Sequence, residues 1–233
     1  MLEYSARWYD GVFFDAFAGS FRDKVFGRVK ENLSRASTVL NIGCRTGRLA
    51  SKLLGKCDRL EIVDPSETNV GITRRKLAGV SGYGIDIECA DPLDFVERSS
   101  ASYDYVVVSY LLHQIIDKER DVLLWALSTV ADQIIVIDYL VPQPKNYCSF
   151  VNYIVEYAAG PLHYGNFKSF VEENGISGVL EKVPLNVISD LRHDDCSSHI
   201  VVLEGKNRHK PNRRPVNIVC GLPKVTKRIE DLN

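Results

Sequence analysis

From Thr38 to Gly205 the chain alternates short β-branched runs with amphipathic stretches at helical spacing, and this alternation confines it to βαβ units around a parallel sheet. The runs Tyr105-Val106-Val107-Val108-Ser109 and Ile134-Ile135-Val136-Ile137 are apolar on both faces, as strands covered by helices on each side must be. The pattern predicts strands at Thr38–Ile42, Leu60–Val63, Gly84–Cys89, Tyr105–Ser109, Gln133–Asp138 and His199–Leu203, the last paired with a strand at Gly178–Val183. Helices are expected over Phe21–Ser34, Gly47–Leu54, Asn69–Leu77 and Lys118–Ala131; in the last, Leu123, Ala126, Leu127 and Val130 make one apolar face.

With 233 residues, 45% hydrophobic and 25% charged, the chain fits one α/β domain with appendages. The division expected is an N-terminal helical lid or cap (1–36), a single sheet domain (37–205) and a basic tail (206–233). The aromatic segment Tyr4, Trp8, Tyr9, Phe13, Phe14 and Phe17 either staples the N-terminus to the body or forms part of a lid. The tail holds eight Lys/Arg and two Asp/Glu, a net +6 within an overall −1. It reads as a solvated extension or as a contact for an acidic partner, a membrane surface or RNA. No stretch of about 18 apolar residues is present, so a cytoplasmic location is expected. Six scattered cysteines without a CxxC pair or zinc-type His spacing predict reduced thiols and no structural metal.

In an open parallel sheet, ligands bind beyond the carboxyl ends of the strands where strand order reverses, which directs attention to the loop after the first strand. It reads Asn41-Ile42-Gly43-Cys44-Arg45-Thr46-Gly47. Gly43 permits a tight turn, and Gly47 starts the next helix close to the strand with free amides facing the crevice, a place for an anionic group. The dinucleotide pattern G-x-G-x-x-G fails, because Arg45 and Arg48 stand where its second and third glycines belong. Asp64, ending the second strand, is placed to accept hydrogen bonds from ribose hydroxyls.

Taken together, these segments resemble class I S-adenosylmethionine (SAM) dependent methyltransferases. Residues Val39 to Ala50 resemble their first motif, Ile62-Val63-Asp64-Pro65-Ser66 the ribose-holding acid, and Cys89-Ala90-Asp91-Pro92-Leu93-Asp94 the acid that reads adenine. Residues Tyr103 to Gln114 resemble the fourth strand and the loop under the methionine moiety. Trp8-Tyr9-Asp10 and His163-Tyr164-Gly165-Asn166-Phe167 resemble the branch with ubiquinone/menaquinone C-methyltransferases and phospholipid N-methyltransferases. The resemblance implies a doubly wound, mostly parallel seven-stranded Rossmann-like sheet, SAM as cofactor and methyl transfer to a small or lipid-like acceptor, with no metal and with room for a homodimer. The cofactor residues it implies are Tyr9, Asn41, Gly43, Cys44, Arg45, Gly47, Asp64, Pro65, Asp91, Pro92 and Ser109. The acceptor wall is expected from the loop after the fourth strand and from residues 139–178, with His163, Tyr164 and His113 as candidate catalytic residues and Asp138 as a further polar group. Phe150, Tyr153, Ile154 and Tyr157, at helical spacing, read as a core stripe in preference to an aromatic cage.

The chain departs from the pattern twice: Asn41 replaces an acid and Arg45 replaces the middle glycine. Arg45 either folds outward to pair with the methionine carboxylate or a surface acid, the favoured expectation, or fills the crevice. The competing readings are a methyltransferase-like binding or regulatory protein with altered or lost SAM binding, and an RNA or protein methyltransferase guided by the tail. The Asn/Asp-Pro-Pro-aromatic signature of many nucleic-acid and glutamine N-methyltransferases is absent after the fourth strand, where Ser109-Tyr110-Leu111-Leu112 stands.

Overall fold

A computed structural model describes residues 22–31, 33, 37–193 and 197–206. Tyr9, the aromatic N-terminal segment and the tail beyond 206 lie outside the described residues. Seven strands form one sheet: β1 (Ser37–Ile42), β2 (Cys57–Asp64), β3 (Gly84–Cys89), β4 (Tyr103–Ser109), β5 (Ala131–Tyr139), β6 (Val187–His193) and β7 (Ser198–Glu204). Their order is β3-β2-β1-β4-β5-β7-β6. The first five are parallel, whereas β7 runs antiparallel to both β5 and β6, so the sheet is mixed. The chain winds outward from β1 to β3, then crosses back to β4, which places the switch point between β1 and β4. All seven residues of β4 are buried, as its two-faced apolar sequence requires.

The helices are α1 (residues 22–31), α2 (Arg48–Leu53), α3 (Glu67–Leu77), α4 (Pro92–Arg98), α5 (Asp117–Val130), α6 (Tyr147–Ala158), α7 (Pro161–Glu172) and α8 (Gly175–Lys182). Helix α3 starts where Ser66 Oγ accepts the Asn69 N–H, with Glu67 in its first turn and Arg74, Arg75 and Lys76 in its last, all favourable to the helix dipole. Helix α7 begins with Pro161, whose missing N–H costs nothing at that position, after Gly160 at φ 109°. No helix among the described residues is long and apolar enough to cross a membrane.

Two expectations are corrected. Gly178–Val183 is no strand: Gly178 to Lys182 lie in α8, whose buried face is Gly175, Ile176, Gly178 and Val179, and the partner of β7 is β6. The stripe Phe150, Tyr153, Ile154 and Tyr157 is exposed, at 64%, 38%, 49% and 72%, whereas α6 buries Ser149, Asn152, Val155 and Glu156. Helix α6 thus turns its polar residues inward, because the sheet edge beneath it offers polar partners.

Candidate active site at the carboxyl edge of the sheet

The loop after β1 is built to approach β4 closely. Gly43 has φ +78°, and a Cβ there would stand 3.1 Å from the Ser109 carbonyl oxygen, so a side chain would both strain the backbone and push β4 away. Ser109 Oγ donates to the Gly43 carbonyl at 2.9 Å. Gly47, φ +69°, stands just as close to Thr73 of α3, which lets α2 begin against the sheet. Thr73 Oγ1 donates to Cys44 Sγ at 3.2 Å, and burial, with the neighbouring Asp64 charge, pushes the Cys44 thiol far above its usual range, so it stays protonated.

Asp64 terminates β2 with its side chain under this loop. Its Oδ1 accepts the Ser66 N–H at 2.9 Å and Asn69 Nδ2 at 3.2 Å, and its Oδ2 accepts the Arg45 N–H at 3.1 Å. Burial raises its pKa, although these donors oppose the shift. Asn69 Nδ2 also reaches Oδ2 at 3.4 Å, so the roughly four lone-pair sites of this carboxylate are filled by the chain's own donors, the Asn69 contacts being the longest. Asp91 caps α4, its Oδ1 accepting from Leu93 N at 2.9 Å and Asp94 N at 3.2 Å, and Pro92 opens that helix. Pro65 follows Asp64, its carbonyl accepting the Cys89 thiol of β3.

Asn41, in the acid's usual place, is fully buried. Its Nδ2 donates to the carbonyls of Val107 (3.3 Å) and Ile42 (3.4 Å), while its Oδ1 has no hydrogen-bond partner among the described residues. An acceptor left so in the interior costs about 1–3 kcal/mol unless a ligand or water completes it. Arg45 has φ 48°, and its guanidinium carbon lies 6.0 Å from the ring centre of Tyr110, the residue after β4. Tyr110, also left-handed at φ 50°, receives the Arg22 guanidinium at 4.0 Å and pairs its hydroxyl with Ser198 Oγ at 2.7 Å.

On the acceptor side the structure brings together His113, in the turn after β4, Asp138 and Tyr139, at the end of β5, Glu156 of α6 and His163 of α7. His113 Nδ1 bonds Asp138 Oδ1 at 2.6 Å, Tyr139 donates to Glu156 Oε1 at 2.6 Å, and His163 Nε2 bonds Glu156 Oε2. Burial alone would raise the Glu156 carboxyl, but His113, the His163 hydrogen bond and Tyr139 hold it at about 2. Burial, reinforced by the Glu156 charge, keeps the Tyr139 phenol protonated. Tyr164 stands apart from this cluster, its ring 5.4 Å from Tyr157.

Glu156 and Arg120 are the members that sequence reasoning missed. A mid-helix Glu reads as a solvated face, and its partners come from the turn after β4, from β5 and from α7. Arg120 is fully buried: Nε donates to the carbonyls of Leu112 (3.0 Å) and Ile115 (3.2 Å), Nη2 to Asn166 O (2.8 Å) and Nη1 to Glu173 (2.6 Å). It ties the His113 turn to α7, which carries His163.

The sequence pattern of a family described as "Methyltransferase domain" matches residues 39–132, from β1 through the glycine turn and both acids to the start of β5. The match spans the segment that carries the glycine turn, Asp64 and Asp91. No curated protein matches the chain. Among solved structures, the N-methyltransferase NodS from Bradyrhizobium japonicum WM9, in complex with S-adenosyl-L-homocysteine (SAH), superposes with TM-score 0.58 at 14% identity, covering 87% of this chain and 95% of NodS. Magnesium protoporphyrin IX methyltransferase (ChlM) from Synechocystis PCC 6803 with bound SAH gives 0.59 at 17%, covering 83% and 88%. Mitomycin 7-O-methyltransferase MmcR gives 0.60 at 20%, covering 82% and 56%. At these identities the structures establish the fold.

Proposed function

We propose that the chain transfers the SAM methyl group to a small or lipid-like acceptor. The observation that carries this is the Arg45 N–H donating to Asp64 beside the switch point, which makes the glycine turn and the ribose-side carboxylate one preformed unit. The residues present fit the cofactor: Gly43 leaves the loop bare of side chain against β4, Asp64 ends β2 on the ribose side, where a hydroxyl would replace the long Asn69 contact, Asp91 caps α4 beyond β3 on the adenine side, and Asn41 Oδ1 is an acceptor awaiting a donor. Cys44, Gly47, Pro65, Pro92 and Ser109 shape the same edge.

When bound, SAM supplies an electrophilic methyl group on a sulfonium. The protein's share is alignment and exclusion of water. Tyr110 and Tyr139, stacked edge to face with centres 5.6 Å apart, form an apolar wall between the crevice and the acceptor side. His163, held by Glu156, and His113, held by Asp138, are the candidate groups for taking a proton from an acidic acceptor.

Two features support the acceptor class. A cleft of about 760 Å³ opens beyond β5, lined by Val141, Pro142, Asn146, Phe150, Tyr153 and Val171 among others. The exposed aromatic face of α6 borders it, which suits the quinone and phospholipid branch. ChlM and MmcR are named for a porphyrin and mitomycin, acceptors that are small beside a protein or RNA. The competing reading, a relative that has lost SAM, draws on Arg45 standing where the middle glycine is usual, with its guanidinium 6.0 Å from the Tyr110 ring centre. Methyl-labelled SAM incubated with the protein and a whole-cell extract tests the acceptor class: label in the solvent-extracted small-molecule fraction supports the proposal, and label in precipitated RNA or protein overturns it.

A further inference from the structure

The cluster beyond β4 and β5 contains an electrostatic conflict. His113 is fully buried, and its Nδ1 sits 2.6 Å from Asp138 Oδ1, a partner that fixes the proton on Nδ1. In the neutral tautomer Nε2 carries a lone pair, 3.6 Å from Glu156 Oε1. That separation is too long for a hydrogen bond, and His113 Nε2 has no hydrogen-bond partner among the described residues. In an interior without solvent, a proton on Nε2 or a metal ion between Nε2 and Oε1 satisfies both groups.

We infer that His113, Glu156 and His163 form a binding site for one divalent transition-metal ion of the zinc type. Their ligand atoms, His113 Nε2, a Glu156 oxygen and His163 Nε2, all lie within 4.8 Å of one another. A tetrahedral ion with bonds of about 2.0–2.1 Å separates neighbouring ligand atoms by roughly 3.3 Å, close to the His113 to Glu156 spacing. His163 would turn from its hydrogen bond with Glu156 to the ion, releasing the proton they share. Asp138 supplies the outer carboxylate that commonly orients a metal-bound imidazole, and Tyr139 the hydrogen bond that orients the ligating carboxylate. Two imidazoles and one carboxylate suit zinc and its neighbours over magnesium or calcium, and three protein ligands leave a position open. The spacing of 113, 156 and 163 hides the set in sequence, where no zinc-type pattern occurs.

An ion held here occupies both imidazoles, so this inference replaces their proton-accepting role and leaves the SAM reading untouched. The test runs without SAM, so the two fail separately. The full-length chain, stripped with a chelator, is dialysed against Zn²⁺ and desalted for metal analysis, and Co²⁺ is titrated with visible spectra recorded. The expected result is one ion per chain, a Co²⁺ spectrum of low coordination number, and a raised Tm with Zn²⁺. His113→Ala and His163→Ala should each weaken binding by more than about 100-fold, and Asp138→Asn, which removes no ligand, by about 10–100-fold. Should the alanine variants fail to fold, the native Co²⁺ spectrum and the Asp138→Asn shift decide. No ion retained by the native chain, or retention unchanged in the variants, overturns the inference.

Discussion

The Arg45 N–H donates to Asp64 Oδ2 at 3.1 Å, so the turn after β1 and the acid ending β2 are held in register by a bond between the two candidate cofactor-binding segments. The account rests on that unit, and the most direct consequences concern these two residues.

Asp64→Ala should weaken SAM binding by about 1.5–3 kcal/mol, the range for hydrogen bonds to a charged group. Because burial raises its pKa above the ordinary 3.8, SAM affinity should begin to fall at a higher pH than an exposed aspartate would give, as protonation removes the acceptor. The apo fold has the opposite dependence: a raised carboxyl pKa favours the protonated folded state, so this group's stabilising contribution is lost as pH rises from the unfolded value through the folded one. Calorimetric titration across acidic pH, beside Asp64→Ala, checks both signs.

Arg45→Ala should weaken SAM binding by about 1.5–3 kcal/mol through loss of a charge-assisted contact to the methionine carboxylate. Arg45→Gly should bind no better, yet fold more stably than Arg45→Ala by about 1 kcal/mol, because only glycine is relaxed at φ 48°. Affinity that rises in Arg45→Gly from an undetectable native value would show that the arginine closes the crevice.

Asn41→Asp should strengthen SAM binding by about 1 kcal/mol, the gain when an acceptor to an ammonium becomes charged. It should also lower the Tm of the free protein, since the new carboxylate oxygen would face the Val107 and Ile42 carbonyls that Nδ2 now satisfies. Parallel calorimetry and thermal melting separate the two; a variant weaker in both would contradict the placement of Asn41 under the ligand.

Much of this edge was legible in the sequence because its signals are local. Strand β3 has the predicted bounds, and the glycine turn and Asp64 are spaced as the fold requires. Asp91 and Pro92 also announced a helix start, but reading Asp91 as a ligand hid α4. Gly178–Val183 was misread as a strand although Ile176, Val179, Leu180 and Val183 have helical spacing. The acceptor side was illegible for a different reason. Whether the α6 aromatics or Glu156 face inward depends on partners in β5 and α7, which no periodicity records.

Arg120→Leu should destabilise the fold by about 3–5 kcal/mol, since it strands the Leu112, Ile115 and Asn166 carbonyls and leaves Glu173 without its buried partner. Denaturant unfolding would show a lowered midpoint at unchanged slope. A change under 1 kcal/mol would mean that the His113 turn is held to α7 by packing alone.

The central claim is that this crevice binds SAM, and isothermal calorimetry of SAM and SAH against the purified full-length chain tests it most directly. The account predicts one site per chain for each ligand, with affinity reduced in Asp64→Ala. No heat of binding for either ligand, in the native chain and in Asp64→Ala alike, would contradict it.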